Sequence, residues 1–147
     1  MESCIRVEHA DVNCISSWLE LVKRVADCFP GLVLDDYTEV LRRNIMRGTA
    51  LCVRDGIRVV GALLYSPRQH CLSWMAVAPE YRRRGVASVL ISEMLRCMPD
   101  GDISVTTFRV GDPKALAPRS LYAKFGFEPD ALLVEYGYPV QRMVLHR

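Results

Sequence analysis

One stretch of the chain, residues 71 to 108, limits the fold more than any other. It predicts a strand at Cys71–Val77, a helix from Val86 to Met98 and a second strand at Ile103–Phe108. The helix carries apolar residues at helical spacing, and both strands are short β-rich runs bounded by turn residues. Two strands joined by a crossover helix run parallel with a right-handed connection. The chain therefore folds as an α/β protein with a parallel strand pair.

The preceding part of the chain predicts antiparallel strands and two helices. Ala50–Arg54 and Ile57–Tyr65 flank Asp55-Gly56, a dipeptide typical of β-hairpins, and with Cys71–Val77 they form a meander. Before them, a helix opens at Asp11 or Asn13, and a second is capped by Asp35 or Asp36 and ended by Gly48. The remaining predicted segments are strands at Cys4–Val7, Val134–Tyr136 and Val140–Leu145, and a short helix that begins near Pro118 and ends at Gly126.

These elements predict a single domain over residues 1–147, a mostly antiparallel mixed sheet flanked by helices on both faces. A chain of 147 residues buries about two-thirds of its surface, enough for a core without disulfide or metal staples. A formal net charge of +2 argues against nucleic acid as a partner, and no run of about 18 apolar residues exists to cross a membrane. The first residues lack a signal-peptide pattern, so a cytoplasmic protein is expected. Six widely spaced cysteines without a Cys-x-x-Cys pair predict free thiols and no metal site.

The turn between Cys71–Val77 and the following helix carries a functional signal. Three cations, Arg82-Arg83-Arg84, stand where the helix dipole disfavours positive charge. An anion bound among them removes that conflict, and the free N–H groups of the first helical turn face such an anion. Gly85 allows the backbone to approach a ligand closely, and Ala87 keeps the first turn small. The pattern favours a pyrophosphate site, and a solvated arginine run beside a tight turn is the structural alternative.

Two motifs resemble those of the GCN5-related N-acetyltransferase (GNAT) family. Arg82-Arg83-Arg84-Gly85-Val86-Ala87 matches the family signature Arg/Gln-x-x-Gly-x-Gly/Ala, and Met75–Tyr81 is similar to the strand and turn that lead into it. About thirty residues later, Leu121-Tyr122-Ala123-Lys124-Phe125-Gly126-Phe127 resembles the family's Leu-Tyr-x-Lys-x-Gly-Phe helix. The resemblance covers about residues 50 to 147 and implies the GNAT fold.

The resemblance implies that acetyl-CoA is the co-substrate. Backbone N–H groups of Arg82, Arg83, Arg84, Gly85, Val86 and Ala87 would cradle its pyrophosphate. The main chain of Met75, Ala76 and Val77 would pair with the pantetheine arm like an added strand. That pairing requires Cys71–Val77 and Ile103–Phe108 to splay apart, and because unpaired buried amides are costly, ligand or water must fill the gap.

The resemblance also implies that Tyr122 protonates the departing thiolate of CoA; a core aromatic is the structural alternative. No general base is assigned, because Ser73 stands where many family members place a glutamate. His70, Glu135 and Tyr136 are possible substitutes. Ala115 replaces an asparagine often found seven residues before the tyrosine, which puts one polar contact to the CoA arm in doubt.

The acceptor pocket is expected between the loop at residues 29–34 and the turn at residues 136–139. Its aromatic side chains would line a slot for an amine, with Asp35, Asp36 or Glu135 attracting an ammonium group. Packing of Tyr136 and Tyr138 between strands is an equal alternative. The two tryptophans, Trp18 and Trp74, are predicted to be core residues.

Three functions follow from this reading. The first is an acetyl-CoA-dependent N-acetyltransferase that moves an acetyl group to a primary amine by direct attack, the acceptor being a small molecule or a peptide. The second is a non-catalytic acyl-CoA-binding regulatory protein. The third, acetylation of a charged tRNA, conflicts with the near-neutral charge. The acceptor, the acyl-chain length and the oligomeric state are not readable, although exposed sheet edges allow a homodimer.

Overall fold

The computed structural model describes residues 5–147, which divide into two compact units. The first unit takes in the chain up to Tyr65 together with Trp74–Cys97, and the second comprises Ser66–Ser73 and Met98–Arg147. The helices and strands, in chain order, are β1 Glu8–His9, α1 Ile15–Arg24, α2 Leu34–Arg47, β2 Ala50–Asp55, β3 Arg58–Ser66, β4 Cys71–Val77, α3 Val86–Cys97, β5 Ile103–Phe108, α4 Leu116–Lys124, β6 Glu128–Glu135 and β7 Tyr138–Leu145.

The first unit has its core where helices cover β2 and β3. These strands pair antiparallel, with Ala50 opposite Leu64 and Cys52 opposite Ala62. Both read as nearly unbroken apolar runs, which is typical of strands buried on both faces. The helices supply one apolar face each to this core, including the fully buried Trp18, Leu41, Leu90, Ile91 and Met94. None of the described helices is long and apolar enough to cross a membrane.

The second unit contains the parallel strand pair. Cys71 lies opposite Ser104 and Leu72 opposite Val105, so the predicted parallel β4–β5 pairing is confirmed at the start of both strands. Strand β7 pairs antiparallel with both β5 and β6. The strand order is β1-β2-β3-β4-β5-β7-β6, which confirms the predicted mixed, mostly antiparallel α/β sheet.

The predicted strand at Cys4–Val7 is wrong in its described part. Cys4 lies outside the described residues, and the first strand begins at Glu8. The second helix is also not capped by Asp35 or Asp36: it begins at Leu34, and both carboxylates lie in its first turn. There they face the positive end of the helix dipole, which stabilises the same helix start by a different contact.

The strand predicted at Val134–Tyr136 is much longer in the structure. Strand β6 runs over Glu128–Glu135, and nearly all of its residues are exposed. A strand exposed on both faces lacks the apolar alternation that marks a half-buried strand, and Pro129 within it disfavours a strand assignment. Tyr136 and Gly137, both with positive φ, form the two-residue turn into β7.

A glycine in β3 sets how closely the sheet approaches α3. A Cβ added at Gly61 would overlap a methyl group of Val86 and would lie 3.2 Å from Cδ1 of Leu90. Val86 is the first residue of α3, so the absence of a side chain at Gly61 fixes the depth at which this helix begins.

We expect Gly61→Ala to lower the free energy of unfolding by about 1–3 kcal/mol, because it overpacks the contact with Val86. Urea denaturation measures this loss. In the double variant Gly61→Ala/Val86→Ala the overlapping methyl group is gone. The loss of unfolding free energy in the double variant should therefore be smaller than the sum of the losses in the two single variants. Strictly additive losses from the two single variants would contradict the proposed contact.

Candidate functional site: the loop before α3

The loop that leads into α3 exposes backbone N–H groups. The first hydrogen bond of the helix runs from Val89 N–H to the Gly85 carbonyl oxygen, at 3.1 Å. The N–H groups of Val86, Ala87 and Ser88 therefore stand ahead of the helical ladder, as at every helix N-terminus. Since the helix dipole adds partial positive charge at the same end, this turn favours an anion.

The backbone of this loop is curved by two left-handed residues. Arg83 has φ 64° and Gly85 has φ 84°. A non-glycine residue in this region costs about 1 kcal/mol or more, and such residues cluster where a backbone shape serves a ligand. Alternating conformations of this kind turn successive N–H groups toward one concave side, which binds anions.

The space at Gly85 is open. A Cβ added there would meet only Cδ1 of Ile5 within 4 Å among the described residues, at 3.9 Å. Glycine is needed at this position for its φ value and not for lack of room. A phosphate group would therefore have room directly against the backbone, and the exposed Arg82, Arg83 and Arg84 would add positive charge at its rim. These residues fit a diphosphate.

Glu80 anchors the loop to two distant parts of the first unit. Its carboxylate accepts hydrogen bonds from Arg24 Nη2 at 2.7 Å and Arg24 Nη1 at 3.1 Å, and it also pairs with Arg58. The hydrogen bonds from Arg24, a backbone bond and the bond from Arg58 lower the pKa of Glu80 to about 2. Glu80 is therefore a carboxylate throughout the neutral range.

Tyr81 gives the loop a second anchor. Its hydroxyl donates to the carboxylate of Asp55, the last residue of β2. Its ring lies 5.0 Å from the guanidinium carbon of Arg84 and 5.9 Å from that of Arg58, a cation–π arrangement. Arg82 Nε lies 3.4 Å from the carbonyl oxygen of Val77. Contacts thus orient two of the three predicted rim arginines.

Sequence reasoning missed the Glu80 and Tyr81 anchors. Both residues read as parts of a strand-breaking turn, and Asp55 read only as a hairpin residue. Arg24 and Glu80 are separated by 56 positions, so no local spacing connects them. The predicted cofactor residues Met75, Ala76 and Val77 are half-buried at the end of β4 and belong to the same unit as the loop.

Tyr122 lies on α4 in the second unit. It is 6 % exposed, and its ring packs against Phe127 with centroids 5.8 Å apart. Its carbonyl oxygen accepts the N–H groups of Phe125 and Phe127, which end the helix. Burial raises the pKa of the Tyr122 phenol, so the hydroxyl keeps its proton at neutral pH and can act as a donor.

The structure leaves the predicted base candidates on the surface. Ser73, His70, Glu135 and Tyr136 are all exposed. Ser73 Oγ lies 3.7 Å from Cys71 Sγ, and His70 occupies the turn before β4 with φ 51°. Each of these four positions faces solvent, so none of them lies in a buried site.

Side chains near the predicted acceptor turn have defined structural roles. Tyr138 donates to Asp112 Oδ2 at 2.6 Å and packs edge-on against Phe108 at 5.7 Å. Arg109 donates to the carbonyl oxygens of Val140 and Leu133, at 3.0 and 2.8 Å. Arg109 therefore ties β6 to β7 and is not a loose surface charge.

Glu80 stabilises the protein in a pH-dependent way whose sign follows from its pKa. The folded pKa of about 2 lies below the unfolded value of about 4.3, so the contribution is complete above about pH 4.3. We expect the small stability gap between wild type and Glu80→Gln to be constant from pH 7 to pH 5 and to shrink as the pH falls toward 2. Urea denaturation across this range measures the gap. A gap that persists unchanged to the lowest pH would contradict the ion-pair anchor.

Known proteins resemble this chain in fold along nearly its whole length. An acetyltransferase of the GNAT family from Bacillus cereus is 20% identical, with a TM-score of 0.77 and 99% of each chain covered. The putative acetyltransferase YncA from Salmonella typhimurium, solved with acetyl-CoA, is 14% identical, with a TM-score of 0.75, and the match covers 98% of this chain and 94% of that one. The ribosomal-protein-S18-alanine N-acetyltransferase from Escherichia coli is 14% identical, with a TM-score of 0.74 and coverage of 97% and 94%.

A family comparison of the sequence itself agrees with these folds. No curated protein matches the chain. The model of the acetyltransferase (GNAT) domain, however, matches residues 47–129, which is more than half of the chain and includes both the loop before α3 and the helix of Tyr122. This match shows that the chain belongs to the GNAT family of acetyltransferases.

Proposed function

We propose that residues 1–147 act as an acetyl-CoA-dependent N-acetyltransferase that moves the acetyl group to a primary amine by direct attack. The observation that carries the proposal is the loop before α3, whose N–H groups and open Gly85 backbone fit a diphosphate. Membership of the GNAT family supports acetyl-CoA as the source of that diphosphate. The similar fold of YncA was solved with acetyl-CoA, which further supports this choice.

Different groups of the proposed cofactor-binding residues contact different parts of acetyl-CoA. The N–H groups of Val86 and Ala87 and the curved backbone from Arg82 to Gly85 hold the diphosphate, while the arginine side chains add charge at its rim. The polar main-chain groups of Met75, Ala76 and Val77 hydrogen-bond the amides of the pantetheine arm.

Acetyl-CoA supplies the thioester, and the chain's own groups control the transfer. A neutral amine forms the new C–N bond at the carbonyl carbon, a backbone N–H near Val77 stabilises the oxyanion, and the C–S bond then breaks. Tyr122 donates its hydroxyl proton to the departing thiolate. A phenol pKa near 10, raised further by burial, exceeds a thiol pKa of about 8.5, so the hydrogen bond in the transition state matters more than complete proton transfer.

The attacking amine must lose a proton, and we assign that role to no side chain. Ser73 is a poor base by itself, but its exposed hydroxyl can order a water molecule that carries the proton to solvent. Asp35 and Asp36, exposed in the first turn of α2, would attract an ammonium group before it is deprotonated.

A non-catalytic acyl-CoA-binding regulator is the second candidate. Ser73, at the position where many relatives carry a glutamate, favours it, whereas the buried and protonated Tyr122 favours the enzyme. An amine panel assayed for CoA release separates the two. Tight acetyl-CoA binding with no turnover on any amine would support the regulator.

Gly85→Glu tests the diphosphate site. We expect the Kd for acetyl-CoA to rise at least about tenfold, or about 1.4 kcal/mol, because a carboxylate then fills the open space and repels the ligand. Calorimetry measures the Kd. Gly48→Glu is the matched control, since Gly48 has a similar φ of 76° and open space around it but lies at the end of α2. Equal affinity in wild type and Gly85→Glu would overturn the site.

Tyr122→Phe tests the acid. We expect kcat to fall about a hundredfold, since general acid catalysis contributes at least that much, while the Kd for acetyl-CoA changes less than about twofold. Steady-state kinetics and calorimetry measure the two quantities. Tyr65→Phe removes another buried phenol hydroxyl, in the first unit, and should leave kcat unchanged. An unchanged kcat in Tyr122→Phe would reduce Tyr122 to a packing residue.

A further inference from the structure

Three aromatic residues of the first unit pack around the side chain of Trp74, which projects from β4. Measured between ring centroids, Phe29 lies 5.0 Å from Trp74, Tyr37 lies 5.1 Å and Trp18 lies 6.4 Å. We call this group the Trp74 cluster. Trp18 is 0 % exposed and Trp74 8 %, so both predicted core assignments are confirmed.

The two tryptophans of the cluster differ in how their N–H groups are satisfied. Trp18 Nε1 donates to the hydroxyl of Tyr37 at 2.7 Å, well inside the core. Trp74 Nε1 is completely buried and has no hydrogen-bond partner among the described residues. A buried donor without a partner costs about 1–3 kcal/mol, and such groups are rare in folded proteins. An indole N–H can only donate, so what is missing is an acceptor atom.

The position of Trp74 connects this donor to the reaction. It directly precedes Met75, Ala76 and Val77, which the proposed function assigns to the pantetheine arm. Trp74 and Val77 are three residues apart, or about 10 Å along the strand. An indole ring and a small acceptor molecule together span that distance. A molecule whose amine attacks beside Val77 would meet the donor if it extended back along the strand toward Trp74.

Phe29 is the ring of the cluster that can give way to such a molecule. Unlike Trp18 and Tyr37, it is only half-buried, and it lies in the middle of the connection between α1 and α2, outside both helices. A Phe29 ring that turned aside would leave both helices in place, because Phe29 belongs to neither of them. Burial raises the pKa of Tyr37, so the Tyr37 hydroxyl stays neutral and remains the partner of Trp18.

We propose, resting on the proposed function, that Trp74 is a specificity-determining residue whose Nε1–H donates to a neutral carbonyl oxygen of the acceptor. The surrounding rings offer no charge to balance an anion, so a neutral oxygen is favoured over a carboxylate. The acceptors are then amines that carry a carbonyl group nearby, such as amino-acid amides and peptide N-termini. Alkyl amines and polyamines, which have no such oxygen, leave the donor unpaired.

Matched pairs of amines test this selectivity. Leucinamide is compared with 3-methylbutylamine and phenylalaninamide with phenethylamine, each pair differing by the carboxamide group. We expect Trp74→Phe to lower kcat/KM about tenfold for the amides, the value of one hydrogen bond, and less than about twofold for the alkyl amines. Because each variant is compared with wild type on the same amine, differences in intrinsic reactivity cancel. Trp18→Phe, which removes the same atoms from the same cluster, should lower both members of a pair equally.

A direct measurement of the N–H group needs no turnover. The chain has two tryptophans, so a ¹⁵N-labelled sample gives two indole signals, and Trp74→Phe assigns them. Titration of the CoA-loaded protein with leucinamide should move the Trp74 indole proton downfield in a saturable way and leave that of Trp18 in place. 3-Methylbutylamine should move neither.

The outcomes separate this inference from the proposed function. Acetylation of amines with equal losses for amides and alkyl amines in Trp74→Phe would overturn the role of Trp74 and leave the acetyltransferase intact. If no amine is acetylated but the Trp74 signal still responds to leucinamide, the proposed function fails and the carbonyl site stands. A Trp74 signal that responds to no amide would overturn the carbonyl site, whatever the activity.

Discussion

The start of α3 is the point on which the proposed chemistry depends. A helix N-terminus binds a diphosphate only if its free N–H groups are held at a fixed position and are not covered by side chains. Gly61 meets the first requirement by letting Val86 pack directly on the sheet. Gly85 meets the second, since a Cβ added there would meet only a methyl group of Ile5 within 4 Å among the described residues. Two glycines, one beneath the helix and one before it, thus have opposite steric functions at the same turn.

The charged side chains around this turn are also arranged so that the start of α3 stays open to a ligand. Three arginines at a helix N-terminus repel the dipole and one another, and the acidic residue closest to them in sequence, Glu80, pairs with Arg24 and Arg58 instead. The loop is therefore anchored without neutralising Arg82, Arg83 or Arg84. Exposed ion pairs contribute little to stability, so the main effect of the Glu80 pairs is to orient the loop. The positive charge that remains is available to a ligand.

Local chemistry explains which elements could be predicted. Strands β4 and β5 and the start of α3 were predicted to the residue because apolar periodicity and turn residues mark both of their ends. Strand β6 was not, because its faces are exposed and no buried alternation sets its limits. The residues of the candidate site also differ in whether the local sequence could predict them. Gly85 and Tyr122 belong to short motifs, whereas the partners of Glu80 and Tyr81 are brought together only by folding.

Burial has a different consequence for each of the two aromatic residues, Tyr122 and Trp74, that the proposed mechanism and specificity require. Tyr122 needs its proton, and burial favours the neutral phenol over the charged phenolate, so a low-dielectric setting makes it a better reservoir of that proton. Trp74 cannot ionise in this range, so burial changes only the cost of leaving its N–H unpaired. That cost is removed by an acceptor that brings an oxygen and is kept by one that does not. Exclusion of water therefore keeps Tyr122 protonated, and at Trp74 it makes the protein discriminate between amines with and without a nearby carbonyl oxygen. The discrimination at Trp74 requires no charged group beside it.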